Sequence, residues 1–82
     1  MIRVAIVEDD AVYAQQLSDY LRKYQSEYPD TFEITTFTDG DGIVSGYHFQ
    51  FDIILMDIEM RFMDGMSAAE EIRQIDKDVV II

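Results

Sequence analysis

The sequence predicts an α/β domain, a doubly wound parallel sheet with helices on both faces, and three observations predict it. Short, β-branched apolar runs at residues 2–7, 53–56 and 79–82 read as strands covered on both faces, which is how strands of a parallel sheet read. Stretches with apolar residues at spacings of three and four lie between such runs, as crossover helices do. Two of the runs end abruptly in carboxylates, Glu8-Asp9-Asp10 and Asp57, at the edge where open α/β sheets bind ligands.

The first strand, Ile2-Arg3-Val4-Ala5-Ile6-Val7, is almost wholly apolar and is expected in the middle of the sheet. A helix is predicted from about Ala11 to Glu27, with Ala14, Leu17, Leu21, Tyr24 and Tyr28 on its inner side and Asp10 as its N-cap. Tyr13, Tyr20 and Tyr24 recur at helical spacing and are expected to form a contact surface. Pro29-Asp30 ends the helix. Residues 32–38 alternate, as a half-exposed or edge strand should. Asp39-Gly40-Asp41-Gly42 then leads into a short helical stretch from about Gly42 to Tyr47. After the strand at 53–56, Asp64 caps a helix from about Gly65 to Ile75, with Ala68, Ala69, Ile72 and Ile75 on one side. Asp76-Lys77-Asp78 is a turn, and residues 79–82 begin a fourth buried strand.

With 82 residues, 49% of them hydrophobic, the chain suits a single domain. It has no cysteine, which excludes a disulfide framework and thiolate chemistry. No apolar stretch approaches the roughly 20 residues that span a bilayer, and the expectation is a cytoplasmic protein that does not enter membranes. Seventeen Asp and Glu stand against six Lys and Arg, a net charge of −11. Such a surface repels nucleic acid and anionic lipid, and attracts cations and basic partners.

A lone Asp after a strand is most often a turn residue or a cap. Asp57 is not alone. If the first and third strands lie side by side, their ends bring Glu8, Asp9 and Asp57 to one rim, where mutual repulsion is costly unless a cation or proton relieves it. A hard ion that takes oxygen ligands and keeps several waters, Mg²⁺ above all, suits such a set. A carboxylate beside that ion can serve as a nucleophile toward phosphorus.

Ile6-Val7-Glu8-Asp9-Asp10, then residues 52–60 with Asp57 among them, then Met63-Asp64-Gly65-Met66, resemble the receiver domain of bacterial two-component response regulators. The resemblance runs over residues 1–82. It implies a flavodoxin-like fold with strand order 2-1-3-4, lacking the last strand and helices, so that the chain is the N-terminal part of a receiver. It also implies roles. Asp57 matches the phosphoacceptor, Glu8 and Asp9 the acidic pair that holds Mg²⁺, and Glu59 the position whose backbone carbonyl completes the metal site. The implied partner is a sensor histidine kinase and the implied output is transcription regulation. The chain would be a signalling module that assists its own phosphotransfer, not a classified enzyme. Met56-Asp57-Ile58-Glu59-Met60 is similar to regulators with a LytTR-type DNA-binding domain downstream.

Two departures stand out. Arg61-Phe62 replaces the Pro-Gly common in the family, which alters the loop without removing a ligand. The family's later Ser or Thr and its Lys have no counterpart here, and Lys77, which precedes the fourth strand, does not fill that role. Phosphorylation of this form is therefore expected to be impaired, and its fourth strand is expected to offer an open edge for self-association. The alternative is a protein-interaction or dimerisation module that works without phosphorylation. Aspartyl-phosphate hydrolases need a second Asp two residues after a nucleophilic Asp on the first strand, where this chain has Glu8-Asp9. Asp39-Gly40-Asp41-Gly42 fails the EF-hand template at Ile43 and Gln50. His48, the only histidine, is expected at the surface.

Overall fold

The computed structural model describes residues 1–27, 31–57 and 64–82. In chain order the elements are β1 (Ile2–Val7), α1 (Ala11–Glu27), β2 (Phe32–Phe37), α2 (Gly40–Val44), β3 (Ile53–Met56), α3 (Gly65–Ile75) and β4 (Val80–Ile81). All pairings are parallel and the strands lie in the order β2-β1-β3-β4, as predicted. β1 takes a central place because its residues can be buried on both sides. Val4, Ala5, Ile6 and Val7 are all buried, and each alternates with the next in the face it serves.

On one face Ala5, Val7 and Ile54 meet Ile43 of α2 and Ile72 of α3, with Val79 closing the layer. α1 packs against β1 and β2 on the other face. That division explains a difference from expectation. β3 was expected to be covered on both faces, yet only Ile54 is fully buried, while Ile53 and Leu55 are half-buried on the side that α1 reaches only in part.

The short second helix also differs. It starts at Gly40, two residues earlier than expected, because Asp39 caps it and accepts a hydrogen bond from the Gly42 amide at 2.8 Å. A Cβ on Gly42 would come within 3.3 Å of the Phe37 ring, a tight contact to which the ring would have to yield by a few tenths of an ångström. β4 is shorter than the expected 79–82, although Ile82 still bonds to β3 through its amide to the Ile54 carbonyl and its carbonyl to the Met56 amide, each at 2.9 Å, and Val79 lies in the core. Asp64 caps α3 as expected, its side chain accepting from the Ser67 amide at 2.8 Å. Tyr28 lies outside the described residues, and Tyr24 and Ile75 are exposed where inner positions were expected.

Two polar links join distant segments. At the N-terminal edge of the sheet the Arg3 guanidinium donates to both carboxylate oxygens of Asp52, at 3.2 and 3.0 Å, and to the Phe49 carbonyl at 3.1 Å. That last bond steadies a loop in which Phe49 adopts a left-handed backbone, φ 64°. Behind α3, the Tyr47 hydroxyl donates to Asp76 Oδ2 at 2.8 Å, while Asp76 Oδ1 accepts from the amides of Asp78 and Val79. Both Tyr47 and Asp76 are buried.

Candidate functional site

The site is built by strand register. β1 and β3 are neighbours with Val7 opposite Met56, so the residues that follow each strand emerge level. The Asp57 amide donates to the Val7 carbonyl and the Glu8 amide to the Phe37 carbonyl, each at 3.0 Å, which extends the ladder one residue beyond the strands. Asp10 turns the chain into α1, its carboxylate accepting from the amides of Val12 and Tyr13 at 2.9 and 3.2 Å. Asp10 is thus used as a cap, as its position suggested.

Glu8, Asp9 and Asp57 converge. Each offers a carboxylate oxygen, and these atoms all lie within 4.8 Å of one another. Among the described residues no other group of three His, Cys, Asp or Glu side chains does so. Asp9 is exposed, Asp57 half-buried and Glu8 buried at 8% exposure. Burial, reinforced by a hydrogen bond to Asp57 and by its charge, pushes the Glu8 carboxyl up to about 7. The donor set is all oxygen, and its spread is close to the roughly 4.2 Å between opposite ligands of Mg²⁺. The residues fit that ion. Glu59, the fourth expected contributor, lies outside the described residues.

Beside the carboxylates opens a cleft of about 430 Å³, which Glu8 and Asp57 line together with Tyr13, Leu17, Leu55 and Ile82. Tyr13, grouped with Tyr20 and Tyr24 by helical spacing, shares helix α1 with them, and all three are exposed. Tyr24 tilts against Phe32 at 6.0 Å between ring centroids, Tyr20 is exposed, and Tyr13 stands at the acidic cleft. Its place was available in the sequence, one helical turn past Asp9-Asp10. The other singled-out groups do not join the site. Asp39 caps α2, and His48 is exposed with Nδ1 2.8 Å from the Gly46 carbonyl.

A sheet of this order, with three carboxylates at the ends of its two middle strands, defines a class that the comparisons identify. The response regulator receiver domain family matches residues 4–82. The chain is 36% identical over 80 residues to transcription factor SKN7 of Saccharomyces cerevisiae, covering 96% of this chain and 12% of that protein. It is 33% identical over 84 residues to the probable C4-dicarboxylate response regulator DctR of Halalkalibacterium halodurans, covering 100% and 35%. It therefore spans well under half the length of these relatives. Among solved structures, the response regulator TrrA of Thermotoga maritima in complex with Mg²⁺ and BeF superposes with a TM-score of 0.85 at 28% identity, covering 99% of this chain and 66% of that one. TrrA in complex with the histidine kinase ThkA gives 0.76 at 29% identity, with the same coverage. This chain belongs to the response regulator receiver domain family.

Proposed function

We propose that Asp57 is the phosphoacceptor of this receiver domain, and that Glu8, Asp9 and Asp57, with the backbone carbonyl of Glu59, hold the Mg²⁺ its chemistry uses. The observation that carries this reading is the convergence of three carboxylates within 4.8 Å at the ends of β1 and β3. When bound, Mg²⁺ supplies positive charge to the phosphoryl oxygens during transfer. An Asp57 oxygen attacks the phosphorus of a phosphohistidine on a sensor histidine kinase, the P–N bond breaks with its electrons left on the imidazole, and an acyl phosphate forms. Glu8 must give up its proton for the set to hold the ion, since a protonated carboxyl is a poor ligand.

The complex of TrrA with ThkA supports a kinase as partner, and the name of SKN7 supports an output in transcription. A LytTR-type output belongs to the same proposal and rests on the wording of residues 56–60 alone. The acidic segment itself does not bind nucleic acid, and its place is the cytoplasm; no helix among the described residues is long and apolar enough to cross a membrane. The outer edge of β4, beside exposed Val80 and Ile82, is the proposed surface for self-association.

The test is incubation with acetyl phosphate and Mg²⁺, followed by intact mass and peptide mapping. One added phosphoryl group on Asp57, absent from Asp57→Asn and absent without Mg²⁺, is the expected result. A folded chain that never gains that mass under these conditions contradicts the reading and leaves an interaction module that works unphosphorylated.

A further inference from the structure

We infer that Tyr13 shields the acyl phosphate on Asp57 from water and so sets how long the phosphorylated state lasts. The inference rests on Asp57 being the phosphoacceptor and adds a residue that the carboxylate pattern does not contain. Tyr13 stands in the first turn of α1, and the Asp10 carboxylate fixes that turn by accepting from the Val12 and Tyr13 amides. Its ring shares the cleft of about 430 Å³ with Glu8 and Asp57. The rest of that cleft is apolar, formed by Val7, Leu17, Leu55, Met56 and Ile82. Among the described residues no lysine, arginine or histidine lines it, and α1 contributes only Tyr13 and Leu17, of which the tyrosine is the larger.

Loss of the phosphoryl group requires that water. Its oxygen bonds to phosphorus, the bond from phosphorus to the Asp57 oxygen breaks with its electron pair returned to the carboxylate, and the water's proton passes to solvent. The half-exposed ring lines the cleft together with Asp57, where its bulk restricts that approach, and it is not one of the three carboxylates of the metal set. The ring's bulk, not its hydroxyl, is the active feature. Tyr20 and Tyr24, on the same helix but away from the cleft, have no such effect.

The test compares the parent with Tyr13→Ala, Tyr13→Phe and Tyr20→Ala. Each is phosphorylated with acetyl phosphate and Mg²⁺, freed of donor, and followed by intact mass, while Mg²⁺ affinity is read from amide shifts. Tyr13→Ala is expected to lose its phosphoryl group about threefold faster or more, with Mg²⁺ affinity unchanged, and Tyr13→Phe and Tyr20→Ala to decay as the parent does. A second readout needs no turnover. Fluorine NMR of the complex with Mg²⁺ and beryllofluoride should show faster exchange of bound with free ligand in Tyr13→Ala. Should Tyr13→Ala lose the fold, Tyr13→Leu, which keeps an apolar cover without the reach of the ring, carries the same expectations. Unchanged decay and exchange in a folded variant overturn the shield and leave the acceptor standing. Absence of any phosphoryl mass in the parent overturns the acceptor, and the shield with it.

Discussion

Glu8 shows how one residue acquires properties that its neighbours in sequence do not reveal. Three carboxylates at the ends of two strands could be read from the chain, because apolar runs ending in acid are visible without a structure. The burial of Glu8 could not be read, since it depends on what the fold packs around it, including Asp57, which arrives from another strand. The consequence is a pH dependence of defined sign. With its carboxyl raised from 4.5 to about 7, the folded protein binds a proton more tightly than the unfolded chain does. The stabilisation from Glu8 is therefore fully present below 4.5 and is lost as pH rises through about 7. Without Mg²⁺, denaturation midpoints should fall across this window, and Glu8→Gln should flatten the slope. Mg²⁺ binding works against the proton, so its affinity should rise with pH up to about 7 in the parent.

At the scale of elements, local signals placed the ends of α1 and α3 well because Asp10 and Asp64 are caps whose hydrogen bonds lie within three residues. Where the partner is remote the sequence is silent. Asp76-Lys77-Asp78 read as a turn, and it is one, but its first carboxylate also receives the hydroxyl of Tyr47 from 29 residues away. That bond joins the exit of α2 to the end of α3, where Arg73 Nη1 further donates to the carbonyls of Lys77 and Val79. Burial works against the Asp76 charge, yet the bonds from Tyr47 and from the amides of Asp78 and Val79 hold the carboxyl below its usual range. Its contribution to stability is present above 3.8 and is lost as pH falls through the lower folded value. Tyr47→Phe removes one donor and should cost about 1–2 kcal/mol by urea denaturation. Asp76→Ala should cost more, since it strands the Tyr47 hydroxyl and two amides together.

For the whole molecule, alternating apolar runs and helices were enough to give a parallel α/β sheet, while the strand order 2-1-3-4 followed from the resemblance to receiver domains. The depth of cover was less legible. A run such as Ile53-Ile54-Leu55-Met56 looks equally apolar on both faces, while the fold buries Ile54 fully and leaves Leu55 at the acidic cleft. Ile54→Ala should accordingly destabilise by about 2–4 kcal/mol, measured by chemical denaturation. The exposed side of β3 and β4 also bears on assembly. Sedimentation at rising concentration should show association that Val80→Lys weakens, and a monomer at every concentration would remove β4 as a contact surface. The proposed phosphoacceptor chemistry requires Glu8, Asp9 and Asp57 to work together as a Mg²⁺ site. Titrating Mg²⁺ into the parent and Asp57→Asn while following backbone amide shifts by NMR tests it most directly. The prediction is saturable shifts at Glu8, Asp9 and Asp57 in the parent and much weaker binding in the variant. A folded parent whose Glu8, Asp9 and Asp57 amides do not respond to Mg²⁺ would contradict it.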